Sequence, residues 1–243
     1  DTLIERNRIM PQRCTTRAFT SVLALIASFG TASAAETDIT IGMQLEPPHL
    51  DPTSAAAGAI DNVVYSNIFE GLTRFMGDGS VVPGLAKSWD ISDDGLRYTF
   101  HLRGDVQFHD GTAMDAADVK FSLDRARAED STNAQKTLFA GIRSVIVLDD
   151  LTLQIDLVEP NGGFITNLAW GDAVIVAPES IHNVETAPIG TGPFKFSKWI
   201  KGDRVELVKN RDYWGKSVKL DKAIFKYSLF SLQSLYPCLI IFK

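Results

Sequence analysis

The clearest period-two stretch runs from Leu96 to Arg103, where Leu96, Tyr98, Phe100 and Leu102 alternate with Arg97, Thr99, His101 and Arg103. That alternation predicts a strand with one face buried and one in water. Val106 and Phe108 are expected to continue the sheet, with a turn at His109-Asp110-Gly111-Thr112. Ile39–Ile41, Val145–Val147, Leu151–Leu157 and the apolar Val174–Ala177 read as further strands. Phe194–Ile200 and Val205–Val208 predict a hairpin through Lys201-Gly202-Asp203, and Lys222–Tyr227 a last strand. Helical spacing appears in Val64, Ile68, Phe69 and Leu72, which predicts a helix over 61–72 with Gly71 near its end. A second helix is expected from Asp115, with Asp118 in its first turn and Val119, Ser122, Leu123 and Ala126 inward. A short helix is expected around Phe164–Leu168. The class is mixed α/β, rich in sheet, with antiparallel hairpins.

Composition narrows the function. The chain has 243 residues, 45% hydrophobic and 22% charged, in the range of globular domains. A net charge of -6 argues against nucleic acid as a partner, since phosphate binding needs a basic face. The two cysteines, Cys14 and Cys238, flank a cysteine-free body, so neither a disulfide framework nor a cysteine metal site is expected there.

The first residues read as an address. Those before Met10 look like sequence upstream of a start. Arg13 and Arg17, the apolar run Ala18–Gly30 and the small-x-small Ala32-Ser33-Ala34 then form the three parts of a Sec-type signal peptide. Cleavage near Ala34 would deliver the remainder to the periplasm. At the other end, residues 228–242 carry no charge and differ in composition from everything before them; they read as an aberrant, out-of-frame tail.

Candidate chemistry is sparse. His109 beside Asp110 invites an acid–base reading and hence an exported hydrolase, but Asp-Gly-Thr after a strand is turn chemistry. His49, His101, His109 and His182 match no metal-ligand spacing. Gly190-Thr191-Gly192 lacks the lysine and helix start of a phosphate cradle. Neither a metal nor another cofactor is expected, and no catalytic residue is nominated.

Several blocks together carry a family resemblance: Asn67-Ile-Phe-Glu-Gly-Leu72, Pro83-Gly-Leu-Ala-Lys-Ser-Trp89, Ser92–Arg103, Val106–Thr112, Ala117–Ser122, Ile189-Gly-Thr-Gly-Pro-Phe194 and Asp212-Tyr-Trp-Gly215. In order and spacing they resemble the bacterial extracellular solute-binding proteins of the peptide- and nickel-binding class. The resemblance implies a class II periplasmic binding protein fold and no enzyme activity. The implied role is capture of peptides, or of nickel chelates, opines or other small solutes, for an ABC importer. The implied partners are that ligand and the inner-membrane permease with its ATPase subunits, the binding protein itself being a monomer. It places residues 36–70 and 183–227 in a first domain and 71–182 in a second, smaller one; the third domain, the opposing lobe, would follow Tyr227 and is missing, so this copy is expected to be truncated and defective in capture. By the same resemblance Ala56, Ala57 and Gly58 would meet ligand through their backbone, and Trp170 and Asp172 would line the cleft. Trp89, Trp199 and Trp214 fall in blocks read as packing.

Overall fold

Why this chain builds two cores is visible in its element order. The computed structural model describes residues 37–55, 57–227 and 240–241. In sequence they form β1 (Asp38–Met43), α1 (Gly58–Val64), β2 (Thr73–Phe75), β3 (Val81–Pro83), β4 (Ala86–Ile91) and β5 (Arg97–Leu102). Next come α2 (Ala116–Arg127), α3 (Lys136–Phe139), β6 (Ile142–Asp149), β7 (Thr152–Leu157) and α4 (Phe164–Asn167). The chain continues through β8 (Phe194–Ile200), β9 (Arg204–Lys209), β10 (Lys222–Tyr227) and β11 (Ile240–Ile241). Two 3-10 turns, Gly171–Ala173 and Pro178–Asn183, precede β8. The signal segment, Ala56, and the uncharged tail apart from the backbone of β11 lie outside the described residues.

One antiparallel sheet has the order β4-β5-β7-β6. In β5 the period-two reading holds: Tyr98, Phe100 and Leu102 are buried while the alternate positions face outward. His101 on the outer face pairs with Asp90 at 2.8 Å. Against the inner face lies α2, started by a capping box in which the Asp115 carboxylate accepts from the Ala117 and Asp118 amides and the Asp118 carboxylate accepts from the Asp115 amide. Val119, Leu123 and Ala126 join Phe100, Leu153, Ile155 and Phe139 in the larger core.

A second sheet has the order β11-β1-β10-β9-β8, with β1 and β10 parallel and the other neighbours antiparallel. On one face Val205, Leu207, Ala223, Phe225 and Tyr227 pack on Leu50, Ile60, Val63 and Val64 to form the smaller core. On the other face Glu206 receives Arg204 at 2.6 Å and Lys222 at 2.7 Å. Polar and apolar residues thus segregate across this sheet by the same side-chain alternation.

The two cores meet along an extended segment. Ala173, Ile175 and Ala177 face the larger core, whereas Val174 and Val176 face the smaller. Such alternate pointing lets one strand of chain feed two apolar clusters. Its backbone is buried and must still be satisfied. The Ile175 amide donates to the Glu70 carbonyl at 2.9 Å, and the Val176 amide to Ser122 Oγ at 3.0 Å. The expected strand over 174–177 is therefore corrected: only Val174 bridges a neighbour, Gly71, and the rest is held by single bonds of other kinds.

Two further expectations are corrected. The helix read over 61–72 begins at Gly58 and ends at Val64; Tyr65 is extended and Ser66 has a φ of 58°. The carbonyls of Asn67 and Ile68 instead accept from the amides of Phe194 and Gly192, each at 2.9 Å, so tertiary bonding replaces the helical ladder. Ile68, Phe69 and Leu72 remain buried, which is why they mimicked a helical stripe. Val106 and Phe108 do not extend the β5 sheet; they fold back on Thr112 and Met114 in a small hairpin of their own.

Close backbone approach at this seam requires glycine. A Cβ on Gly190 would lie 2.1 Å from the Ile68 carbonyl oxygen, and one on Gly192 2.4 Å from that of Asn67. Gly190→Ala is expected to lower unfolding free energy by about 2–3 kcal/mol in urea titration, through overpacking. Gly58→Ala, where a Cβ meets nothing within 4 Å, is expected to stay within about 0.5 kcal/mol of the parent.

Candidate functional site

The short helix α1 is the local scaffold. It begins with the small residues Ala57 and Gly58 and buries Ile60, Val63 and Val64 beneath them. Asp61 and Tyr65 project from one face, being four residues apart. The Tyr65 hydroxyl donates to the Ala169 carbonyl. Asp61 lies against the next residues of that segment: a Cβ on Gly171 would come within 2.9 Å of its carboxylate oxygen. Helix α1 is thus fastened to residues 169–171, which brings Asp61 beside the stretch that carries Trp170 and Asp172.

Of the nominated residues, Gly58 is exposed and Ala57 half-buried. Ala56 lies outside the described residues. Trp170 is 46% exposed and its ring meets Phe75 edge-on at 5.7 Å. A large aromatic left that open can cover an apolar part of a ligand. Asp172 is half-buried; burial and then the negative charge of Asp61 push its carboxyl up to about 6. Burial also raises the Asp61 carboxyl above its ordinary value. Two carboxylates that each resist ionisation gain from a nearby cation, which would lower the cost of both charges.

Sequence reading missed Asp61 and Tyr65, because their significance comes from a segment more than 100 residues away. It also missed Arg125, whose guanidinium reaches Asp51 at 2.8 Å from α2. A groove of about 490 Å³ lies elsewhere, along β1 and β10 beside Ala59 and Asn62, with no charged side chain in its lining.

His109 and Asp110 do not form a dyad. The Gly190 amide donates to His109 Nδ1 at 3.3 Å, which puts the ring proton on Nε2, and Nε2–H donates to the Gly192 carbonyl at 3.0 Å. Both ring nitrogens are committed to the seam. The Asp110 carboxylate instead accepts from the amide and hydroxyl of its own turn residue Thr112, at 3.0 and 2.7 Å. Burial lowers the His109 pKa to about 4, so the ring is neutral at physiological pH.

Residues 80–231 match the family described as bacterial extracellular solute-binding proteins, family 5 Middle. The chain belongs to this family. Among relatives, it is 37% identical over 182 residues to the glutathione-binding protein GsiB of Pectobacterium atrosepticum, covering 73% of this chain and 35% of that one. Of solved structures, the periplasmic binding protein DppA of Helicobacter pylori in complex with the peptide STSA aligns with a TM-score of 0.73 at 32% identity, over 79% of this chain and 42% of that one. NikZ of Campylobacter jejuni in complex with Ni(L-His) aligns with a TM-score of 0.72 at 32% identity, over 80% and 40%. This family 5 chain therefore spans about two fifths of the length of the proteins it matches, and the described part shares the periplasmic binding protein fold, as the blocks Asn67–Leu72 and Asp212–Gly215 implied.

In the family 5 chain those two blocks touch. The buried Glu70 carboxylate accepts from Thr191 Oγ1 at 3.1 Å, Tyr213 OH at 2.8 Å and Trp214 Nε1 at 2.8 Å. Trp214 also carries the Arg103 guanidinium over its ring at 4.5 Å. Trp199 donates to Glu46 at 2.9 Å, and Trp89 packs on Phe100. All three tryptophans are engaged in packing contacts, as read from their blocks.

The neutral clamp at His109 gives a signed pH effect. Because its folded pKa lies below the unfolded value of 6.5, its contribution is complete above pH 6.5 and is lost as pH falls through about 4. Asp118 and Asp172, both raised to about 6, contribute the other way: their share is present below pH 3.8 and lost as pH rises through 6. Comparing the parent with His109→Gln isolates the first effect. The parent's advantage in unfolding free energy should shrink between pH 6.5 and 4; a pH-independent difference would show that the ring is not held neutral.

Proposed function

We propose that this chain is the ligand-contacting part of a periplasmic binding component for an ABC importer, taking short peptides. Residues 36–70 and 183–227 form one domain in this reading and residues 71–182 the other. Ligand is held by contact alone and no bond is made or broken; the commitment of His109 to backbone partners favours this over a hydrolase. The mature monomer works in the periplasm after a Sec-type signal is removed, and hands ligand to a membrane permease driven by ATPase subunits.

The observation that carries the reading is the fastening of α1 to residues 169–171 within a chain of family 5. Small residues at the start of α1 let a ligand backbone approach, in the manner of strand addition. Trp170 offers a ring for an apolar side chain. Asp172, supported by Asp61, meets a cationic group of the ligand. The glutathione-binding relative and the peptide-bound neighbour support a peptide of a few residues. A nickel chelate is the second candidate, because NikZ, at 32% identity, holds Ni(L-His).

The test is chemical-shift mapping by NMR with Ala-Ala-Ala, Ala-Lys-Ala and nickel–histidine at millimolar concentration. Expected are shifts of Ala57, Gly58, Trp170 and Asp172 with both peptides. Ala-Lys-Ala should bind about two- to fivefold more tightly than Ala-Ala-Ala at pH 7.5, the scale of one partly exposed ion pair. That preference should fall as pH drops through 6, where Asp172 takes up a proton, and vanish in Asp172→Asn. Shifts confined to nickel–histidine would replace the peptide reading; no shift at these residues with any probe would end it.

A further inference from the structure

The chain that leads into α1 is gripped from a distance. Asp51 is 1% exposed and Thr53 6% exposed, far less than is usual for polar residues next to a loop. One carboxylate oxygen of Asp51 accepts from the Thr53 amide at 2.8 Å and the Thr53 hydroxyl at 2.6 Å. Its other oxygen receives Arg125 at 2.8 Å. A second nitrogen of the same guanidinium donates to the Thr53 hydroxyl. Arg125 thus holds both ends of the Asp51–Thr53 turn, 74 residues away in sequence.

The platform behind Arg125 is packed into the larger core. Its neighbours Leu123 and Ala126 are buried in the larger core, and Ser122 on the same helix bonds the seam at Val176. On the loop side, Leu50 is fully buried and its amide donates to the Glu185 backbone carbonyl at 2.9 Å. Beyond Thr53 the chain packs only partly on the smaller core, through Ala55, Ala57 and Ala59, until Ile60, Val63 and Val64 of α1 are fully buried. The few residues between Thr53 and Ile60 therefore span two anchors, and one of these anchors is set by Arg125.

We infer that Arg125 is a positioning residue: by clamping Asp51 and Thr53 it fixes the path of the backbone that delivers Ala57 and Gly58 to ligand. The ligand part of this statement rests on the function proposed above. The clamp's value is geometric rather than energetic. A buried ion pair roughly breaks even against an apolar pair of the same size, whereas leaving one partner behind is strongly unfavourable. Arginine is suited to the task because its planar fork grips two acceptors in fixed relation.

The test is hydrogen exchange read by mass spectrometry on the whole chain. The double variant Asp51→Asn with Arg125→Met removes both charges and keeps an acceptor for the Thr53 turn. Expected is a rise of about tenfold or more in exchange across residues 53–58, with exchange in the β8–β9 hairpin and the thermal midpoint close to the parent. Arg125→Lys keeps a counter-charge for Asp51 but not the fork; it should give an intermediate rise at 53–58, and it carries the test if the double variant does not fold. Parent-like exchange at 53–58, or a rise shared equally by β8–β9, overturns the inference. Protection of residues 57–58 in the parent by millimolar Ala-Ala-Ala reads the ligand assignment separately. Its absence beside a loosened loop in the variants would remove the ligand role and leave the clamp standing.

Discussion

Where two apolar cores share a stretch of backbone, every peptide group in that stretch must find a partner inside the protein. That requirement governs this chain. Residues 67–71, 174–176 and 190–194 run through the seam, and each solves the problem with a different donor or acceptor: a carbonyl from another crossing, a serine hydroxyl on α2, an imidazole from the turn after Phe108. An unpaired group here would cost as much as a lost hydrogen bond and more, because water is excluded. The glycines, His109, Ser122 and Glu70 make sense together as the fittings of one buried joint.

The joint also explains why the polar atoms of two buried titratable residues, His109 and Glu70, are committed to partners inside the protein. His109 lies next to an aspartate in sequence, yet its ring is consumed in bonding Gly190 and Gly192. Glu70 is buried and carboxylic, yet three donors already occupy it. A group whose hydrogen-bonding capacity is spent on structure has nothing left for a substrate. Asp61, Asp172 and Trp170 lie outside the joint, the two carboxyls half-buried and the Trp170 ring nearly half exposed.

What could be read from the sequence divides along a physical line. β5, the β8–β9 hairpin and the start of α2 were legible because alternation, turn residues and a capping aspartate act within a few residues. The end of α1 was not, because Val64, Ile68, Phe69 and Leu72 are buried at helical spacing whether or not the chain is helical; the carbonyls of Asn67 and Ile68 are diverted by residues 192–194. Val174–Ala177 reads as a strand for a similar reason, since an extended buried segment and a ladder strand have the same composition. For the proposed site, Ala56, Ala57, Gly58, Trp170 and Asp172 were nominated by their position in the family resemblance, not by any local pattern. Asp61 and Arg125 were invisible because their partners are distant and no local pattern marks them.

The parallel pairing of β1 with β10 has a consequence for biosynthesis. Among the described residues Asp38–Met43 finds its neighbours only in Lys222–Tyr227 and Ile240–Ile241, so the smaller core's sheet cannot close until nearly all of the described chain has left the ribosome. The larger core draws on residues 72–177 and can condense earlier, around contacts that are closer in sequence. For much of its synthesis the amino-terminal strand is therefore an unpaired edge, free to be held by a chaperone. A half-finished sheet of this kind is also easier to thread through a narrow channel than a completed one.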